Sequence, residues 1–159
     1  MFEAITITLL GEPRGKGRPR FSRRSGHAYT PAETRSYEGA LRYAAQEAMK
    51  GRVPLEGPLD VAVYARFSVP QSWSKRMRAQ ALCGVIRPAK RPDWENIAKM
   101  LDAFNEVVWR DDAQIVDGTI RKEYSERPAL VVVVKPVQRP ALAIPRDPVA
   151  PPLLTEAAA

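Results

Sequence analysis

The sequence predicts an α+β domain, a small mixed or antiparallel sheet covered by helices, with its elements in the order β-α-β-α-α-β-β. Two observations predict it. Four segments alternate or concentrate β-branched and apolar residues as strands do, and two segments among them repeat apolar residues at helical spacing, with a short basic helix before the second. A chain of 159 residues holds one domain with a real core.

The first strand is EAITITLL (3–10). GEPRGKGRPRFSRRSGHAYT (11–30) follows, with Gly, Pro and Arg in place of any hydrophobic period, and reads as a long mobile loop. From Pro31 a helix begins. Thr30 is placed to cap it, Pro31 suits its first turn, and Tyr37, Leu41, Ala44, Ala45, Ala48 and Met49 recur at helical spacing before GRVP ends it. PLDVAVYARFSV (58–69) alternates as the second strand, and QSWSKRMRAQAL (71–82) is a short basic helix that Ser72 is placed to cap. CGVIRPAKRP (83–92) is a loop. Beyond it Trp94, Ile97, Leu101, Phe104 and Val108 fall at i, i+3, i+7, i+10 and i+14, the buried stripe of one helix with Asp93 at its N-cap. AQIVDGTIRKEY (113–124) and PALVVVVKP (128–136) are the last two strands and read as an antiparallel hairpin about SERP. The domain therefore spans 1–136, and the Pro- and Ala-rich remainder (137–159) is expected to be a disordered or loosely docked tail.

A formal net charge of +7 points to a polyanionic partner, nucleic acid first. No apolar run approaches the roughly 18 residues of a spanning helix, and no basic amphipathic helix with exposed aromatics can be drawn. The N-terminus lacks the charged start of a secretory signal, so a cytoplasmic location is expected. The single cysteine, Cys83, excludes an internal disulfide and a cysteine-based zinc site, and it is expected to be buried. The single histidine, His27, lies in the Gly- and Arg-rich loop. Nucleophilic mechanisms built on histidine have little to work with, and carboxylates and lysines must carry any chemistry.

Three constellations stand out. In RPDWENIAKMLDAFNEVVWRDD (91–112), Glu95, Lys99, Asp102 and Glu106 would line one helical face, and Asp111 and Asp112 return two more carboxylates toward it. Clustered acids repel unless something positive sits among them, and magnesium, held by one or two carboxylates with water and phosphate, is the candidate. Lys99 is placed to neutralise charge on a transferred phosphate. The bland alternative is a solvated face with a Glu95–Lys99 pair and Asp93 as a cap. The second constellation is the loop RGKGRPRFSRR, with Arg14, Lys16, Arg18, Arg20, Arg23 and Arg24 and no acid; its glycine spacing fails a nucleotide-binding P-loop, so no nucleotide cofactor is expected. The third is the acid-free run 61–92 with Arg66, Lys75, Arg76, Arg78, Arg87, Lys90 and Arg91. Basic flanks of this kind suit phosphate-backbone binding. Trp73 nearby is either a stacking platform or a core residue.

The segment PDWENIAKMLDAFNEVVWRDDAQI (92–115) resembles the signature of the RusA family of Holliday-junction resolvases, the crossover junction endodeoxyribonucleases, in which an Asp-x-Asp-Asn pair, a following lysine, Asp-Ala-Leu-Asn and a late Asp-Asp-x-Gln-Ile recur. GEPRGKGRPRF resembles the opening of many members. The resemblance, over about residues 4–135, places Asp93, Glu95 and Asp112 at the metal-binding acid positions with Asp111 beside them, and Lys99 at the catalytic lysine position. It implies a homodimeric enzyme using magnesium, with manganese able to substitute, that resolves four-way DNA junctions by paired symmetric nicks in recombination and repair. It also implies a bacterial or phage-encoded protein. Glu95 stands where the family usually has Asp, and Glu106 where Gly often follows the motif asparagine. A catalytically weakened branched-DNA-binding protein is the alternative.

Overall fold

A computed structural model describes residues 4–18, 20, 21, 23 and 26–137. The expected tail, apart from Val137, lies outside the described residues, as does Arg24. The architecture is α+β, as predicted, with a four-stranded mixed sheet. In chain order come β1 (Ile5–Leu10), β2 (Arg20–Phe21), β3 (Ala28–Tyr29), α1 (Ala32–Met49), β4 (Leu59–Ser68), α2 (Lys75–Leu82), α3 (Trp94–Ala98), β5 (Ile115–Ser125) and β6 (Ala129–Pro136). The loop over 11–30 contains the small antiparallel pair β2–β3.

The main sheet runs β1-β6-β4-β5. The expected β5–β6 hairpin does not form: β4 lies between them, antiparallel to β6 and parallel to β5. Burial explains the order. Leu130, Val132 and Val134 are fully buried and Val131 and Val133 half-buried, so β6 has no polar face to give to solvent and takes a central place. Val116, Asp117, Gly118, Thr119 and Arg121 are exposed, which suits β5 to the edge. On one face of β4, Leu59, Val61, Val63, Ala65 and Phe67 are buried. α1 covers that layer, packing on β1 and on the segment after α3 through Leu41, Ala45 and Met49.

The single helix expected from Asp93 to Val108 is also corrected. α3 gives way after five residues to a 3-10 turn, Lys99–Phe104, and then to a tight reversal. A continuous helix would set Trp109 roughly 140° around the axis from Phe104. Both rings are instead fully buried and meet edge-on with centroids 5.6 Å apart. The reversal is closed by Glu106 N–H to the Trp109 carbonyl (2.7 Å) and by Trp109 Nε1 donating to Asn105 Oδ1 (2.7 Å). Glu106 takes φ 61° there, in the left-handed region that glycine adopts most readily. Ile97, Leu101, Phe104 and Val108 are buried as the stripe requires, but Trp94 is 57% exposed.

Smaller differences are local. The N-cap of α1 is Pro31, without a side-chain cap from Thr30, and α2 is capped by Ser74, whose Oγ accepts from Met77 N, and not by Ser72. Cys83 ends α2 in an exposed position, where its N–H closes the helix, so burial was the wrong expectation. Trp73 packs edge-on against Tyr124 at 5.3 Å as part of the core margin. Among the described residues, no helix is long and apolar enough to cross a membrane.

Replacing Phe104 with Ala empties the contact that closes the reversal and is expected to cost about 3–5 kcal/mol of unfolding free energy in urea denaturation. A loss under about 1 kcal/mol would contradict this placement.

Candidate active site

α3, ended after Ala98, borders two concave spaces. Asp93 occupies its N-cap position, but the side chain makes no capping hydrogen bond, so the carboxylate is left to solvent. Residues 90–92 approach along an exposed loop with a cis Arg91–Pro92 peptide. Lys122 of β5 reaches under this loop: its ammonium donates to the carbonyl oxygen of Pro92 at 3.1 Å and to that of Lys90. Burial holds the Lys122 ammonium below the usual lysine range, against the opposing pull of the Asp93 carboxylate. Sequence reasoning missed Lys122. Its signal was parity, since Ile120, Lys122 and Tyr124 share the inward side of an alternating strand.

On one side of α3 lies an open cleft of about 1020 Å³, lined by Arg14, Lys16, Arg18, Arg91, Asp93 and Asn96 among others. Its floor is the start of the basic loop, which is docked here. Lys16 N–H donates to the Asn96 carbonyl at 2.8 Å, and a Cβ on Gly15 would stand 2.7 Å from Pro92 Cβ and 2.9 Å from Asn96 Cβ. Only glycine permits that approach. Lys16 turns inward, with its ammonium 2.8 Å from Asp102 Oδ2 and 3.2 Å from Glu38 Oε1. The Asp102 hydrogen bond raises the Lys16 pKa against the cost of burial, and Glu38 adds to the rise. Arg14 pairs with Glu33 at 3.1 Å. The loop reads as acid-free in sequence, yet its acids come from α1 and the 3-10 turn.

On the other side is a smaller cavity of about 260 Å³, walled by apolar side chains of β4, β5 and the 3-10 turn, with Trp94, Lys99, Asp102 and Asp112 also lining it. Asp112 is presented by its neighbours. Asp111 Oδ1 accepts from Ala113 N (2.8 Å), and Gln114 Oε1 accepts from Arg110 N (2.8 Å) and Asp111 N (3.1 Å). Gln114 Nε2 then anchors the turn to the carbonyls of Leu55 and Gly57. Within Asp-Asp-x-Gln, the first acid and the glutamine hold the turn and the second acid is offered to solvent.

The acids thus divide by partner. Glu95 pairs with Lys99, whose hydrogen bond and charge hold the Glu95 carboxyl below its usual range, with Arg18 adding to them. Asp102 pairs with Lys16, Glu106 with Arg110 at 3.3 Å, and Asp111 caps. Asp93 and Asp112 have no side-chain hydrogen bond or ion pair among the described residues. The one-face alignment of Glu95, Lys99, Asp102 and Glu106 is lost with the long helix. Among the described residues, no three His, Cys, Asp or Glu side chains converge to hold one metal ion by themselves.

The remaining basic candidates are spread over the surface. Arg23, Lys75, Arg76, Arg87, Lys90 and Arg91 are exposed, and only the backbone of Arg20 is described. Lys90 lies 5.8 Å from the Tyr124 ring and 5.9 Å from that of Phe67. Arg78 is half-buried and donates to the Pro70 carbonyl at 3.3 Å, and Arg66 pairs with Glu123 at 2.8 Å across β4 and β5. Those two arginines are thereby engaged within the fold.

Residues 11–135 match the family model described as Endodeoxyribonuclease RusA. The chain belongs to the RusA endodeoxyribonuclease family. The RusA match takes in both sides of the site, from the docked basic loop to β6, and leaves β1 outside. The chain is also similar to Uncharacterized protein YqaN of Bacillus subtilis (strain 168), 34% identical over 140 residues, which cover 85% of this chain and 98% of that protein. Membership in RusA supports an endodeoxyribonuclease, with DNA as the substrate class.

Two substitutions examine the supports of Asp93. Lys122→Met keeps the aliphatic stem and removes the donor; amide exchange across residues 90–96 is expected to quicken, with DNA cleavage falling about tenfold or more. Gly15→Ala is expected to lower cleavage by a similar or larger factor by pushing the basic loop off α3, since roughly 1 Å of misplacement can cost about a hundredfold. Unchanged cleavage in both variants would show that Asp93 needs neither support.

Proposed function

We propose that this RusA-family chain is a magnesium-dependent, structure-specific endonuclease that cuts four-way DNA junctions by paired nicks. The observation that carries the reading is the pair of exposed carboxylates, Asp93 and Asp112, left without partners among the described residues while the acids around them are tied up. Magnesium keeps much of its water and needs one or two carboxylates plus substrate phosphate, so Asp93, Glu95 and Asp112 have the hard oxygen donors it takes, with Asp93 lining the cleft, Asp112 lining the cavity across α3, and no three-acid cluster preformed among the described residues. Bound there, magnesium, or manganese in its place, would supply polarisation of the phosphoryl oxygen and a more acidic water. Asp111 belongs to this reading as the residue that aims Asp112.

The chain's own residues do the rest. Arg14, Arg18 and Arg91 line the cleft that would hold the phosphate backbone, a contact that positions DNA without reading its sequence. Lys99, between Glu95 and the cavity containing Asp112, is placed to exchange its carboxylate partner for a phosphate oxygen and steady charge developing there. Two nicks in opposing strands require two such sites, which supports a homodimer. The Glu95–Lys99 pair favours a second reading, a branched-DNA-binding protein with weakened catalysis, because it occupies both groups.

A synthetic four-way junction incubated with magnesium and with EDTA separates the readings. Paired nicks in the junction, absent from linear duplex and from EDTA reactions, are expected. Asp93→Asn and Asp112→Asn are each expected to slow cutting at least about a hundredfold while junction affinity stays within a few-fold. An Asp112→Asn protein that cuts at a near-normal rate sinks the assignment, and tight binding without cutting in any divalent metal establishes the second reading.

A further inference from the structure

Trp94 is the most exposed of the chain's tryptophans, Trp109 being fully buried and Trp73 packed on Tyr124. Helical periodicity places it in the core stripe, yet it lines the rim side of an apolar cavity with Val61, Val63, Leu101 and Ile120. A large ring left in solvent beside unfilled apolar surface marks a binding place. The polar groups in the same cavity are Lys99 and Asp112 of the proposed nuclease site, the Thr119 hydroxyl, and Asp102, whose Oδ2 pairs with Lys16. The occupant must therefore offer a flat apolar face close to a phosphate.

We propose that this cavity receives one unpaired nucleobase of branched DNA, stacked on Trp94, next to the phosphate handled by Lys99 and Asp112. The inference rests on the reading of the protein as a branched-DNA nuclease. Continuity supports it: α3 borders both spaces, giving Asp93 and Asn96 to the lining of the cleft and Trp94 and Ala98, with Lys99 just after them, to the lining of the cavity. A strand crossing α3 from cleft to cavity leaves its duplex path, and the base it carries must unstack. Unstacking costs least where pairing is already broken, as it is at a branch point. The pocket thus converts a general phosphate-binding surface into one that favours branched over linear DNA. Every base has a stacking face, so a pocket that holds its occupant mainly by stacking on Trp94 selects structure more than sequence.

The test uses the full chain carrying Asp112→Asn, which blocks turnover, with and without Trp94→Ala, in magnesium. Binding is measured to a four-way junction, to matched linear duplex, and to junctions in which each branch-point nucleotide in turn is abasic. Trp94→Ala is expected to weaken junction binding about tenfold, leave duplex binding within about twofold, and lose its effect at one abasic position; Trp94→Phe should recover most of the affinity. Equal weakening for junction and duplex, or no abasic position that cancels the effect, overturns the base pocket. So does a change in oligomeric state on sedimentation of Trp94→Ala, which would assign the cavity to a side chain of a second copy. Wild-type protein that neither cuts nor prefers junctions removes the parent reading as well; wild-type protein that cuts junctions while Trp94→Ala is silent removes the pocket alone.

Discussion

The contact between Phe104 and Trp109 governs the rest of the site. Two rings five residues apart cannot share one face of a helix, and burying both brings the chain out of α-helix after Ala98 and around a tight turn. That turn returns the backbone toward the sheet, so Asp111 and Asp112 lead into β5 and Asp112 lines the same cavity as Lys99. It also swings Asp102 toward Lys16 and Glu106 toward Arg110. Hydrophobic burial, a nondirectional force, thereby sets the placement of charged groups that do not themselves pack.

Charge bookkeeping follows from that geometry. Six acids crowd into residues 93–112 of a chain with net charge +7, and ion pairs or caps within the fold engage four of them. Exposed pairs of this kind contribute little to stability. Their effect is one of sorting: Asp102 and Glu106 are directed to lysine and arginine partners, Asp111 to a backbone turn, and Asp93 and Asp112 are left without a side-chain partner among the described residues. Glu95 stands between the two classes, since its partner Lys99 also lines the cavity that holds Asp112.

Lys122 and Gly15 show how the candidate site is held by few dedicated residues. One lysine on the inward side of an edge strand gathers the carbonyls that lead into Asp93, and one glycine lets the basic loop touch α3. The cleft and the cavity on either side of α3 are then parts of one surface. Its short dividing helix carries an acid toward one side and an exposed tryptophan toward the other.

By itself the sequence determined the strands and helices around the core, the α+β class and the RusA signature with its candidate acids and lysine. These are legible because the two periodicities and a motif's spacing are properties of residues close together in the chain. Tertiary structure alone decided that β6 sits between β1 and β4, that α3 stops after five residues, that Trp94 faces solvent and that Cys83 is exposed. It also decided which acids are engaged. Lys16 and Asp102 lie 86 residues apart, and Lys122 and Pro92 lie 30 apart. Their pairing depends on competition among all buried surfaces for the same space, which no local pattern records.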